Sequence, residues 1–122
     1  MSNTVYKLHR RSADSLESLA GQLKNKMTAQ GFFGGAELVV DDRQSLGDAE
    51  TALLVFEKLY FRNGSYSNLT VQLTAFDYRQ RAVIIGSGGG EGLLNISWGA
   101  NSNFAGKACE ILKELGFNYE NQ

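Results

Sequence analysis

Apolar residues recur at helical spacing in two segments of the chain. In the first segment they fall at i, i+3, i+4, i+7 and i+11, which predicts an amphipathic helix with Ser12 as its N-cap and Gly31 beyond its end. The second predicted helix begins near Asn101–Asn103 and ends at Gly116. The apolar stripes consist of Leu16, Leu19, Ala20, Leu23 and Met27, and of Phe104, Ala108, Ile111, Leu112 and Leu115.

The region between the two helices and the short segment before the first helix have the pattern of β-strands. Their order is β-α-β-β-β-β-(β)-α, which predicts a single α+β domain over residues 1–122 with an antiparallel sheet of five to six strands. Both helices are expected on one face of that sheet. The predicted strands are Thr4–His9, Ala36–Val40, Thr51–Arg62, Tyr66–Phe76, Arg81–Ser87 and, as a short sixth, Leu93–Trp98.

A hairpin is the sharpest local signal in the sequence. Asn63-Gly64 lies between two strand-like runs and suits a two-residue type I′ turn. That turn would pair Ala52 with Ala75 and would turn Ala52, Leu54 and Phe56 toward the helices. Lys58 falls on the same side, where it would either reach out at the open edge or line a cavity.

The opposite side of this hairpin carries an apolar row with no evident partner within the chain. Its residues are Leu53, Val55, Leu59 and Phe61. An exposed apolar row of this length is typical of an interface, so we predict self-association, most simply as a dimer. Two alternatives stay open, namely cover by the chain's own ends or loops and contact with a ligand or another partner.

Composition and charge narrow the function classes. The chain has 122 residues, of which 43% are hydrophobic and 20% charged, and it has no membrane-spanning apolar run and no signal-peptide pattern. A cytoplasmic location is therefore expected. The net charge of -1 does not favour nucleic acid. Basic side chains dominate residues 1–26 and acidic ones residues 37–57, a pattern that predicts either a mixed solvated surface or contact between oppositely charged patches of two subunits.

A glycine-rich segment follows the fifth predicted strand. Successive glycine N–H groups can converge on an anion, so we consider this segment a candidate cradle for a phosphate or carboxylate, with Trp98 as a neighbouring flat surface. The alternative is a sharply bent loop, and the Lys-Ser/Thr ending of a P-loop is absent. The candidate ligand-binding residues are Ser87, Gly88, Gly89, Gly90, Glu91 and Trp98.

Catalytic and metal chemistry is weakly represented. His9 is the only histidine and Cys109 the only cysteine, so neither a two-histidine metal centre nor a disulfide within the chain is expected, and no cofactor is predicted. An enzyme would have to use Glu57 or Glu91 as a general base. The aromatic and basic residues around Lys58 leave single-strand nucleic-acid binding as a further alternative.

Several segments carry a resemblance to a known family. The runs Phe56–Asn63, Leu69–Val71, Gly86–Gly90 and Ser97–Ala100 resemble a small bacterial family of unknown function. That resemblance implies a cytoplasmic bacterial protein and no assigned activity. In topology alone, the predicted element order is similar to the TBP-like and helix-grip folds.

The sequence therefore favours a non-enzymatic domain. We expect it to self-associate or to bind a small apolar or anionic ligand, with no membrane contact. A carboxylate-dependent enzyme and a single-strand nucleic-acid binder are the alternatives.

Overall fold

A computed structural model describes residues 4–29, 36–60, 65–88 and 94–120 of the chain. These residues form six strands and two helices in the order β-α-β-β-β-β-α-β. The elements are β1 (Thr4–Arg11), α1 (Leu16–Thr28), β2 (Glu37–Leu46), β3 (Ala49–Tyr60), β4 (Ser65–Phe76), β5 (Arg79–Gly88), α2 (Leu94–Glu114) and β6 (Asn118–Tyr119).

The strands form one antiparallel sheet in the spatial order β2-β3-β4-β5-β1-β6. The predicted α+β class and antiparallel sheet are confirmed. The first strand enters the sheet beside β5, so the first and last strands lie together at one margin. The two-residue strand β6, which the sequence did not predict, borders β1.

The core lies between the helices and one face of the sheet. Side chains alternate along a strand, so every second residue of β3, β4 and β5 points toward the helices. These residues and the apolar stripes of α1 and α2 form one buried cluster. Its sheet members include Ala52, Leu54, Phe56, Leu69, Val71, Leu73, Ala82 and Ile84, all of which are fully buried.

The helix ends differ in part from the prediction. Ser15, not Ser12, caps α1, because its hydroxyl accepts a hydrogen bond from the backbone N–H of Ser18. Ser12 instead accepts from the N–H of Asp14, one turn earlier. At the end of α2, Gly116 has a φ of 102° and confirms the predicted stop. Gly31, the predicted end of the first helix, lies outside the described residues.

The start of α2 differs more strongly from the prediction. The helix begins at Leu94, not near residue 101, so the predicted short strand Leu93–Trp98 is wrong. Residues 94–103 include Gly99 and three asparagines, which have poor helix propensity. A short apolar run such as Leu94–Trp98 suits either a strand or a helix by its pattern alone. The glycine-rich segment therefore connects a strand to a helix.

The central hairpin has the predicted faces but a different register. Tyr60 pairs with Ser65 and Ala52 with Leu73, whereas a two-residue turn at Asn63-Gly64 would have paired Ala52 with Ala75. Four residues, 61–64, therefore separate the paired ends. A shift of two residues returns every side chain to the same face, so the facial assignment survives the error.

The other two hairpins have two-residue turns. Strand β2 continues to Leu46, six residues beyond its predicted end, and turns through Gly47, whose φ is 62°. Between β4 and β5, Asp77 and Tyr78 both have positive φ angles, 54° and 62°. Paired positive φ angles are those of a type I′ turn.

Candidate interaction face and basic corner

The face of the sheet opposite the helices, here called the outer face, has a regular pattern across five strands. Register pairs link residues of β2, β3, β4, β5 and β1 into rows that cross the sheet. The first row is Val40, Val55, Thr70, Ile85 and Val5, the second row is Asp42, Leu53, Gln72, Val83 and Lys7, and the third row is Gln44, Thr51, Thr74, Arg81 and His9.

Large apolar side chains are exposed on this face. Val5 is 49% exposed, Val40 39% and Leu53 37%, while Val55 and Ile85 are half-buried between their strand neighbours. Strand alternation places two further exposed residues, Leu46 and Phe76, on the same side. No described helix or strand packs over them, so the outer face is an apolar surface open to solvent within the described part of the chain.

The margins of the outer face carry opposite charges. Asp42 and Glu37 on β2 and Glu57 on β3 make one margin acidic, and Lys7 on β1 begins the basic margin on the other side. The polar residues of β4, namely Asn68, Thr70, Gln72 and Thr74, run between the two margins. Charge and hydropathy are thus arranged in strips parallel to the strands.

Four basic side chains meet at one end of the basic margin, here called the basic corner. His9 lies directly opposite Arg81, and Arg11 directly opposite Arg79, in the β1–β5 pair. All four are exposed on the outer face. Like charges directly opposite each other in a sheet are destabilising, so the Arg11–Arg79 pair has a cost for folding.

The basic corner lies in an open groove of about 680 Å³. Thr74, Phe76 and Asn118 contribute an hydroxyl, an exposed ring and an amide to its walls, and Glu120 is the acidic residue among those that line it. Arg81 donates hydrogen bonds of 2.7 and 3.1 Å to the two carboxylate oxygens of Glu120. This contact, with a smaller effect of His9 and Lys7, lowers the pKa of Glu120.

The structure describes the side chains of two of the four predicted interface residues. Leu53 and Val55 lie on the outer face, as their alternation predicted. Leu59 pairs with Tyr66 on the same strand pair, but its side chain is not among those described, and Phe61 lies outside the described residues. The apolar row is therefore continued sideways, by Val40, Ile85 and Val5, rather than only along β3.

The predicted ligand-binding residues fall mostly where the structure describes nothing. Ser87 and Gly88 end β5, Trp98 lies within α2 with its side chain undescribed, and residues 89–91, with Gly89, Gly90 and Glu91, lie outside the described residues. These contributions to a ligand site stay a prediction.

Two lysines lie near this end of β5. Lys58 faces the helices, as predicted, and is paired with buried Ser67, whose other neighbour in the sheet is Gly88. Burial, with a smaller effect of the positive charge of Lys107 on α2, lowers the pKa of Lys58.

The other residues considered for catalysis are either buried or in contact with solvent. Cys109 is buried among core residues, and burial raises the pKa of its thiol to about 11, so it is not activated as a nucleophile. His9 is exposed, and Glu57 does not line either of the two grooves described. Among the described residues, no three His, Cys, Asp or Glu side chains are grouped as metal ligands would be.

Sequence reasoning missed the basic corner as a cluster. Its members come from two strands about 70 positions apart, and only the pairing of β1 with β5 brings them together. A signal was present, since basic residues alternate at positions 9 and 11 and again at 79 and 81, and alternation places each pair on one face.

Comparison with known proteins identifies a family and no activity. Residues 5–116 match the sequence model of a family of unknown function, DUF6054. The chain belongs to this family. The resemblance to an uncharacterised domain family that the sequence suggested is thereby confirmed.

The other comparisons do not test the expected source or location of the protein. None of the curated proteins matches the chain. Neither described helix combines the length and the apolar character that crossing a membrane would require. The bacterial source and the cytoplasmic location stay predictions.

Proposed function

We propose that this protein is a self-associating domain whose outer face packs against the outer face of a second copy. The observation that carries the proposal is the complementarity of the rows about β4. In the first two rows, strands at equal distances on the two sides of β4 carry side chains that suit each other, apolar with apolar in the first row and acidic with basic at the ends of the second.

A two-fold axis along β4 brings these complementary residues together. Rotation about an axis parallel to the strands places β2 of one copy over β1 of the other, and β3 over β5. In the first row Val40 then faces Val5 of the second copy, and Val55 faces Ile85. In the second row Asp42 faces Lys7, so the acidic margin of each copy meets the basic margin of the other. Such an isologous contact is closed at two copies.

The size of the face fits a stable dimer. Five strands spaced about 4.8 Å apart and eight residues rising about 3.3 Å each span roughly 24 by 26 Å. The flat area is then roughly 600 Å² per copy, and side-chain relief brings the accessible area near the roughly 800 Å² of a standard interface. Two sheets that pack face to face in this way form an aligned sandwich.

The sheet edges are poorer surfaces for a second copy. The edge strand β2 has a bulge at Val39 and carries the charged residues Asp41 and Asp42, and both features hinder the addition of another strand. At the other edge, β6 has two residues. Both edges therefore have the features that natural sheets use to prevent edge pairing.

Sedimentation equilibrium of the purified protein tests the proposal. We expect a mass of twice 13.4 kDa for the wild type. The double variant Val55→Thr/Ile85→Thr keeps a β-branched side chain at each position but makes four buried side chains of the pair polar. At about 0.8 kcal/mol each, these changes raise the dissociation constant roughly 200-fold.

A matched control separates this effect from a general loss of apolar surface. Val39→Thr makes the same valine-to-threonine change at a more exposed valine outside the rows, and it should leave the dissociation constant unchanged. Thermal unfolding by circular dichroism confirms that each variant is folded. A monomeric wild type, or a double variant that associates as tightly as the wild type, would refute the proposal.

A further inference from the structure

The basic corner keeps a repulsive arrangement that folding alone does not explain. Arg11 and Arg79 lie directly opposite each other, and within the described residues neither has an ion pair. The other described arginines each have one: Arg10 with Asp14, Arg43 with Asp41 and Glu17, and Arg81 with Glu120. Guanidinium groups make strong, often bidentate hydrogen bonds to phosphate and carboxylate oxygens, so two neighbouring guanidinium groups without a counter-charge suit an anion.

The spacing within the corner suits a single anionic group. Side chains directly opposite each other in an antiparallel pair have Cβ atoms about 5 Å apart, so the guanidinium groups of Arg11 and Arg79 are within reach of the same ligand. Guanidinium groups bind phosphate oxygens in pairs and keep their charge at every physiological pH. Arg81 and His9, one row away, add positive potential to the same groove.

An aromatic side chain lies one strand away from this pair of arginines. Phe76 of β4 is the register partner of Arg79 and is 51% exposed. The row Phe76–Arg79–Arg11 therefore presents an aromatic ring beside two guanidinium groups, with a separation of about 4.8 Å between neighbouring strands. An aromatic ring that bears a phosphate would stack on Phe76 while its phosphate contacts the arginines.

We infer that the basic corner binds a small aromatic phosphate monoester. The groove of about 680 Å³ lies within the range of about 300–1,000 Å³ that holds small molecules. A long polyanion fits less well, because the acidic margin with Asp42 and Glu57 lies across the same face. Binding needs residues of one chain only, but the proposed pair would place β2 and β3 of a second copy over the corner, so the ligand and the second copy compete.

Calorimetric titration with phenyl phosphate, inorganic phosphate and phenol at low ionic strength tests the inference. We expect saturable binding of phenyl phosphate, weaker binding of inorganic phosphate and none of phenol. Arg11→Gln and Arg79→Gln should each weaken phenyl phosphate at least ~10-fold, because each removes one charged hydrogen-bond donor. Phe76→Leu should reduce phenyl phosphate to the affinity of inorganic phosphate, with no change for inorganic phosphate itself.

Lys26→Gln provides the matched control. It removes the same charge from an exposed position on α1, away from the corner, and should leave binding unchanged. The variant Val55→Thr/Ile85→Thr associates less tightly, so it should bind phenyl phosphate at least as tightly as the wild type. Absent binding of phenyl phosphate to this variant, equal effects of Lys26→Gln and Arg79→Gln, or tighter binding of a single-stranded oligonucleotide would each overturn the inference.

Thermal stability provides a second readout. Without phosphate and at low salt, Arg11→Gln and Arg79→Gln should melt at a higher temperature than the wild type, since each relieves a repulsion. Saturating phenyl phosphate should raise the melting temperature of the wild type and not that of these variants. If either variant melts below Lys26→Gln in phosphate-free buffer, the arginine pair is a structural element and the inference is wrong.

Discussion

Replacing Arg10 by methionine should destabilise the protein more than replacing any other single charged residue of the sheet. Arg10 faces the helices, and its side chain is only 8% exposed. Its Nε donates a 2.6 Å hydrogen bond to Oε1 of Gln80, and Nη1 donates to the carbonyl of Leu115 beyond α2. Gln80 in turn donates to the carbonyl of Asp14 before α1. One guanidinium thus connects β1, β5 and the ends of both helices.

The magnitude follows from the groups that the change leaves without partners. Gln80 is 2% exposed, so its oxygen and the Leu115 carbonyl would lose their donor where water reaches poorly, at about 1–3 kcal/mol each. The contact of the guanidinium with the ring of Phe117, 4.9 Å from its centroid, adds about 0.5–2 kcal/mol. The ion pair with exposed Asp14 adds little. Methionine recovers some of the apolar packing, so the net loss should be about 2–4 kcal/mol.

Urea unfolding followed by circular dichroism measures this loss, and Arg11→Met is its control. Arg11 is the next residue, faces the opposite side of the sheet and is exposed. Its replacement should change the free energy of unfolding by no more than about 0.5 kcal/mol in the destabilising direction. If the two variants unfold within about 0.5 kcal/mol of each other, the Arg10 contacts do not contribute as argued.

Three further predictions concern the turn, the acidic edge and the thiol. Tyr78→Gly should raise the free energy of unfolding by about 0.5–1 kcal/mol, because Tyr78 has a left-handed φ of 62° that suits glycine; a lower stability in urea would contradict this. A hydrogen bond from Lys24, with a further one from Arg43, lowers the pKa of Asp41, so its contribution is present above the ordinary value of 3.8 and is lost as pH falls through the lower folded value. Asp41→Asn should therefore lose less stability than the wild type between pH 6 and pH 2.5 in urea titrations, and equal losses would refute the assignment. The raised pKa of Cys109 predicts slow reaction with a disulfide reagent at pH 8 in the folded protein and complete reaction in urea, whereas rapid reaction without urea would show that the thiol is accessible.

The alternation of side chains made the faces of the sheet predictable. Leu53 and Val55 were expected on the outer face and lie there, although the hairpin is longer than Asn63-Gly64 suggested. A period of two is insensitive to an error of two residues in register. The apolar stripes of both helices were predictable for a similar reason, since 3.6-residue spacing identifies the buried side wherever the helix begins.

Long-range pairing was not predictable from the chain. Nothing local indicates that β1 lies beside β5, and so the juxtaposition of Arg11 with Arg79 appears only in the folded sheet. Propensity likewise misplaced the start of α2, because Gly99 and its neighbours favour other conformations and tertiary surroundings override such weak preferences. Of the candidate ligand site, the sequence predicted Ser87 at the end of the fifth strand, and that strand ends one residue later, at Gly88.

The most direct test of the central claim, the two-fold pairing of outer faces, uses a charge swap between Asp42 and Lys7. In the proposed pair each copy offers Asp42 to Lys7 of the other, so Lys7→Glu alone and Asp42→Lys alone should each weaken the dimer through two like-charged contacts. A mixture of the two variants restores both attractive pairs, and native mass spectrometry should show the mixed dimer in excess over either homodimer. A mixture that forms the three species in statistical proportion, or in which only monomers persist, would contradict the proposed packing.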